Sequence, residues 1–283
     1  YVLAGGASAM LVSKVDMMMI GKFMDFKHVA FYTVAFFIGN VIRVPARAIG
    51  AITAPLLAKA WEKNDIDQIK DLYIKSSINQ FVFGGFIFLA VWLNIDDGFT
   101  LLPEKYRNGE LVVLFIALSQ LFNVATGVNG KIIINSKYYK FDLYSNFILL
   151  FLALYTNWIF IQESSPLAMY NIVGINGAAF ATALSVFIFN IIKMIFLYIK
   201  MKIQPFTYKT LLAVFLIVGV YFAVYYIPVI DNMNNDILFA VINCCIRLLL
   251  ILLIFIPLLV WMRVSEDINN VLYEFWNKHF PKN

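Results

Sequence analysis

Apolar runs of about twenty residues alternate with short polar connections along almost the whole chain. Hydropathy places candidate spanning segments at residues 1–21, 29–58, 78–95, 110–130, 142–162, 171–199, 208–229 and 236–262. The stretch LLLILLIFIPLLVW (248–261) is apolar on both faces, whereas a transmembrane strand alternates polar and apolar positions. Helices are therefore the spanning element. Two polar stretches carry an amphipathic pattern. In 62–77, Ile66, Ile69 and Tyr73 recur at helical spacing among Asp65, Asp67, Lys70 and Asp71. In the tail, Ile268, Val271, Leu272, Phe275 and Trp276 oppose Glu266, Asp267 and Glu274. Each reads as a helix lying in the membrane interface, with Trp276 at headgroup level, or as a solvated helix capping the bundle.

Composition agrees with the pattern. The 283 residues are 62% hydrophobic and 14% charged, against about 25% charged in soluble domains. The expected class is an all-α integral membrane protein with about eight transmembrane helices. The net charge of +5 comes from Lys and Arg lying between apolar runs, not from a basic, aromatic-interleaved patch, so no nucleic-acid partner is expected. If 59–77 is cytoplasmic, then 131–141, 200–209 and the tail after 262 are too. These segments hold thirteen of the 22 Lys and Arg, against four on the other side. That imbalance places the C-terminus in the cytoplasm. The chain opens on Tyr1 inside an apolar segment, which reads as a fragment lacking an N-terminal part.

The connection 201–207 contains Gln204-Pro205-Phe206 and separates six helices (1–200) from a terminal pair (208–262) and an amphipathic tail (263–283). On the sixth span, Gly174, Ala178, Ala181 and Ser185 share a face, with Gly177 beside it, which allows a neighbouring helix to approach closely.

Charges inside spans carry the chemistry. An Arg at the centre of a spanning helix costs about 2.5–3.5 kcal/mol on insertion scales. Arg43 and Arg47 lie one turn apart on the second span, on one face, and can converge on a phosphate or diphosphate. Pairing with acidic or carbonyl groups of neighbouring helices is the other reading. Pro45 and Pro55 remove backbone donors from that span and predict a bend. Lys14 and Asp16 lie two apart on the first span, on diverging faces. Asp16 is expected to neutralise Arg43 or Arg47, or to take part in ion or proton coupling. Asn123, Thr126, Asn129 and Gly130 form a polar stripe on the fourth span, for helix–helix bonding or for binding sugars. Arg247 is isolated on the last span, in a packing or headgroup role, and Asp96-Asp97 reads as a solvated loop.

Enzymatic readings lack residues. The two histidines, His28 and His279, lie at a span's edge and in the tail, and no Gly-rich phosphate loop with Lys is present. Cys244 and Cys245 are adjacent in an apolar run and read as small packing residues. No cofactor or metal is expected.

The stretches Ser13-Lys14-Val15-Asp16-Met17-Met18-Met19-Ile20-Gly21, Val29-Ala30-Phe31-Tyr32-Thr33-Val34-Ala35 and Arg43-Val44-Pro45 through Ala54-Pro55 resemble the start of the second half of a polysaccharide flippase of the MOP superfamily. Thr126-Gly127-Val128-Asn129-Gly130, Ser136-Lys137-Tyr138-Tyr139 and Gly174-Ile175-Asn176-Gly177-Ala178-Ala179 extend the resemblance over essentially the whole chain. It implies the second six-helix lobe of a MATE-like transporter plus two terminal helices. The implied function is translocation of an undecaprenyl-diphosphate-linked oligosaccharide across a bacterial inner membrane. Arg43, Arg47, Lys14 and Asn129 would then meet the substrate, with membrane lipids and glycan polymerase machinery as partners. A multidrug antiporter of the same superfamily and a non-transporting scaffold for glycan assembly are the alternatives.

Overall fold

The computed structural model describes residues 14–107, 109–227 and 237–279, with the backbone alone for residues 105, 275–277 and 279. Each expected span coincides with helix over most of its described residues. The first is α1 (14–23), and residues 1–13 of its predicted range lie outside the described residues. The second is one long rod, α2 (Phe26–Asn40), a 3-10 turn (Val41–Arg43) and α3 (Val44–Glu62). Pro45 accounts for the interruption. It has no N–H to donate to the Val41 carbonyl, so the Val44 N–H takes that acceptor and the chain tightens to the 3-10 spacing.

Next come α4 (Ile66–Trp92), the short α5 (Ile95–Thr100), α6 (Glu110–Ala125), the short α7 (Asn129–Ile134), α8 (Tyr139–Phe160) and α9 (Gly174–Met201). The chain ends with α10 (Tyr208–Tyr225), α11 (Ile237–Trp261) and α12 (Glu266–His279). The fourth predicted span, 110–130, breaks at Gly127 (φ +63°), so the polar stripe runs across the junction of α6 and α7. Among the described residues, six helical segments are long and apolar enough to cross a membrane: α2–α3 taken together, α4, α8, α9, α10 and α11. This is an all-α, multi-pass membrane protein.

The separate surface helix expected over 62–77 is not formed. Asp65 caps α4, its side chain accepting from the Gln68 N–H at 2.9 Å, and the helix continues unbroken to Trp92. Ile69 and Tyr73 are fully buried with Leu57, Ala60, Ile132 and Leu197. Their apolar stripe faces other helices of the protein, and the 3.6-residue period alone does not distinguish that from a lipid interface.

α6 packs against α2, α4 and α9, and α9 packs against α8. The small-residue face of α9 does what the sequence predicts. Ala178, Ala181 and Ser185 are buried, and Ser185 meets Thr156 of α8 at 3.0 Å between hydroxyls. A Cβ on Gly177 would lie 1.8 Å from the Phe160 carbonyl oxygen, so only glycine permits this approach. The terminal helices α10 and α11 pack on α4 through an apolar cluster of Phe81, Val82, Ile217, Val220, Ile251 and Phe255.

Two sequence readings of charge are corrected here. Asp97 does not sit in a solvated loop, and Arg247 is not isolated. The helical turn of α5 aims Asp97 inward, where the Arg247 Nη1 donates to its Oδ2 at 2.9 Å and to the Leu93 carbonyl at 2.7 Å. At the other end of the bundle, Ser265 donates to Asn79 and Asn79 donates to Asp267, at 2.5 and 2.8 Å. Lys209 holds Glu266 at 2.5 Å, and this contact keeps the exposed Glu266 carboxyl below its usual range. The Phe275 and Trp276 side chains lie outside the described residues, which leaves the headgroup anchor as an expectation.

Candidate functional site

The 3-10 turn fixes the geometry of the site. Arg43 closes the turn and Arg47 lies in the first turn of α3, so both side chains leave the rod on one side. They line a cavity of about 420 Å³ and are near enough to repel each other. Among the described residues neither guanidinium has a hydrogen-bond or ion-pair partner, and both are exposed to the cavity opening. The alternative reading, in which neighbouring acids or carbonyls satisfy them, is not what this structure contains.

The opposite wall is amide-rich. Asn190 of α9 joins the polar stripe of α6 and α7: its Nδ2 donates to Asn123 Oδ1 at 3.2 Å, and its Oδ1 accepts from Thr126 Oγ1 at 3.0 Å and Asn129 Nδ2 at 3.1 Å. Asn123 in turn donates to Gln120 at 3.2 Å. The stripe thus serves helix–helix bonding, while Asn123, Asn129 and Asn190 also present surface to the cavity.

Two lysines complete the lining. Lys131 of α7 donates to the Gly50 carbonyl across the cavity mouth. Lys193 of α9 is buried and paired with Asp142 of α8 at 2.7 Å. Among the described residues the walls therefore carry four cations, Arg43, Arg47, Lys131 and Lys193, and no carboxylate. Such a cavity attracts an anion and disfavours an organic cation.

The structure brings Arg43, Arg47 and Asn129 together and leaves Lys14 and Asp16 elsewhere. Lys14 is exposed on α1 and does not line the cavity. Asp16 does not pair with either arginine. It is buried among three neutral donors on three helices: Tyr32 Oη of α2 at 2.7 Å, Thr182 Oγ1 of α9 at 2.6 Å and Asn157 Nδ2 of α8 at 2.9 Å. Neutral hydroxyl and amide donors, and no guanidinium, therefore satisfy the Asp16 oxygens.

Sequence reading missed Lys131, Asn190 and Lys193. Lys131 passed as a cytoplasmic topology charge although it follows Asn129-Gly130 directly. Asn190 and Lys193, three apart on α9, form a polar pair between the apolar runs 186–189 and 194–197, which was the available signal.

A family model, MatE, matches residues 5–159, more than half of the chain. The chain belongs to the MatE family. MatE proteins are membrane transporters of the MOP superfamily. The MatE match takes in Asp16, Arg43, Arg47, Asn129 and Lys131 and ends before α9, the helix that supplies Asn190 and Lys193. Neither a curated protein nor a solved structure matches the chain.

Proposed function

We propose that this MatE-family transporter is a flippase that moves an undecaprenyl-diphosphate-linked oligosaccharide across a bacterial inner membrane by alternating access. The observation that carries the reading is the pair Arg43 and Arg47, unpartnered among the described residues in a cavity without a carboxylate. Forked guanidinium donors match phosphate oxygens bidentately, and a diphosphate neutralises both at once.

With the C-terminus cytoplasmic, Arg43 lies near the middle of its rod, and Arg47–Gly50, Gly127–Lys131 and Phe189–Lys193 lie in the cytoplasmic halves of their segments. In this reading residues 1–200 form the second lobe of the transporter, with 208–262 as an added pair, and Asp16 is the coupling carboxylate. Lys14, remote from the cavity, is set aside as a substrate contact. Export of organic cations is opposed by the charge of the cavity. A scaffold role for glycan assembly makes no use of unpartnered arginines.

The test is depletion of the full-length protein in its host, followed by an assay of which leaflet holds the lipid-linked glycan. Accumulation on the cytoplasmic leaflet, relieved by wild type and at least tenfold less by an Arg43→Gln, Arg47→Gln variant of equal abundance, is the expected result. Full rescue by that variant contradicts it.

A further inference from the structure

Lys193 is the cavity's least conspicuous cation, because Asp142 already holds it. We propose that Lys193 is a third phosphate-binding residue of the cavity and that Asp142 holds its attraction for the anion in check. This rests on the reading of the cavity as a diphosphate site.

Four observations place the ammonium there. Lys193 lines the same cavity as Arg43 and Arg47. It sits against Gly130, where a Cβ would come within 3.3 Å of Nζ, so the smallest residue leaves it room at the cavity edge. Gly50 leaves the same room for Lys131, with a Cβ position 3.0 Å from that Nζ. Two lysines, each seated beside a glycine, thus flank the arginine pair. Fourth, its neighbours do not exhaust its bonding capacity: an ammonium has three donors, and the described partners are one Asp142 oxygen at 2.7 Å and the face of Phe189 at 4.2 Å.

Asp142 is held in place. Its second oxygen accepts from Asn146 Nδ2 at 3.1 Å, one turn along α8. It is the carboxylate in direct contact with a cavity cation, and it faces Lys193 rather than the arginines. It offsets the desolvation of Lys193, since a buried ammonium without a counter-charge is costly. When a diphosphate arrives, Lys193 contributes a charge-assisted hydrogen bond while still tethered, and Asp142 repels the same anion. The pair therefore trades affinity for a cavity that can empty again, as a carrier must.

Binding of a diphosphate to the purified full-length protein tests this, with inorganic pyrophosphate in one arm and nanodiscs carrying a polyprenyl diphosphate in the other. Asp142→Asn removes the opposing charge at constant shape and is expected to tighten binding about tenfold. Lys193→Gln is expected to loosen it about tenfold, and the double variant to bind less tightly than Asp142→Asn alone. Tighter binding in the nanodisc arm assigns the lipid-borne anion, and equal binding in both arms assigns the bare diphosphate. Unchanged or weaker binding by a folded Asp142→Asn protein overturns the proposal. If that variant does not fold, unchanged affinity in Lys193→Gln overturns it. The parent reading fails separately: wild type that ignores both probes, or binds them equally after Arg43→Gln and Arg47→Gln, removes the diphosphate site altogether.

Discussion

A guanidinium within a spanning helix persists only where something replaces its water, and this chain meets that need in two ways. Arg247 is given a carboxylate and a carbonyl. Arg43 and Arg47 are given a polar cavity and each other's repulsion. The two cases predict opposite stability effects. Asp97→Asn leaves Arg247 without its counter-charge, and thermal or denaturant unfolding in detergent should show a loss of about 2 kcal/mol, reduced from the fully buried case because Arg247 is partly exposed. Arg43→Gln should change stability by less than about 0.5 kcal/mol, because no described contact is lost. A destabilisation by Arg43→Gln as large as that by Asp97→Asn would mean that Arg43 is structural. At this scale the sequence shows which residues carry unusual charge but not what each faces. Asp16 illustrates the gap: its partners Tyr32, Asn157 and Thr182 lie 16, 141 and 166 residues away and are neutral, so no charge pattern points to them.

At the scale of the element, local chemistry is mostly legible. Pro45 announces the 3-10 turn, Gln204-Pro205 announces the end of α9, and the small residues of α9 announce a close neighbour. The last of these is quantitative. Gly177→Ala places a methyl group into the Phe160 carbonyl and forces α8 and α9 apart, so it should lower stability by more than about 2 kcal/mol, while Ala178→Gly, at a position that is equally buried, costs about 1 kcal/mol. Equal melting temperatures for the two variants would show that the helices have slack there. The segment 62–77 was misread because an amphipathic period reports that one face is covered and not what covers it. Only the packing of Ile69 and Tyr73 against α3, α7 and α9 shows that the cover is protein.

At the scale of the molecule, the helical membrane class, six of the eight predicted spans and half of the cavity were legible; the first span lies largely outside the described residues, the fourth is cut short at Gly127, and the cavity's other half was not legible. Arg43, Arg47 and Asn129 stand out because polar groups in apolar helices are anomalous. Lys131 does not, because a lysine near a helix end is also what sets topology, and Lys193 stands out only as a charge within the sixth span, from which no role follows. The fold resolves the ambiguity by bringing α3, α7 and α9 to one cavity. Its electrostatic character is the central claim, and reconstituted full-length protein tests it most directly. Proteoliposomes are loaded in one set with an undecaprenyl-diphosphate-linked oligosaccharide and in another with a cationic dye, and translocation is followed with wild type and with the Arg43→Gln, Arg47→Gln variant. Movement of the glycolipid, lost with the arginines, and no movement of the dye is the predicted result. Dye movement that is indifferent to the arginines, with the glycolipid left in place, would contradict it.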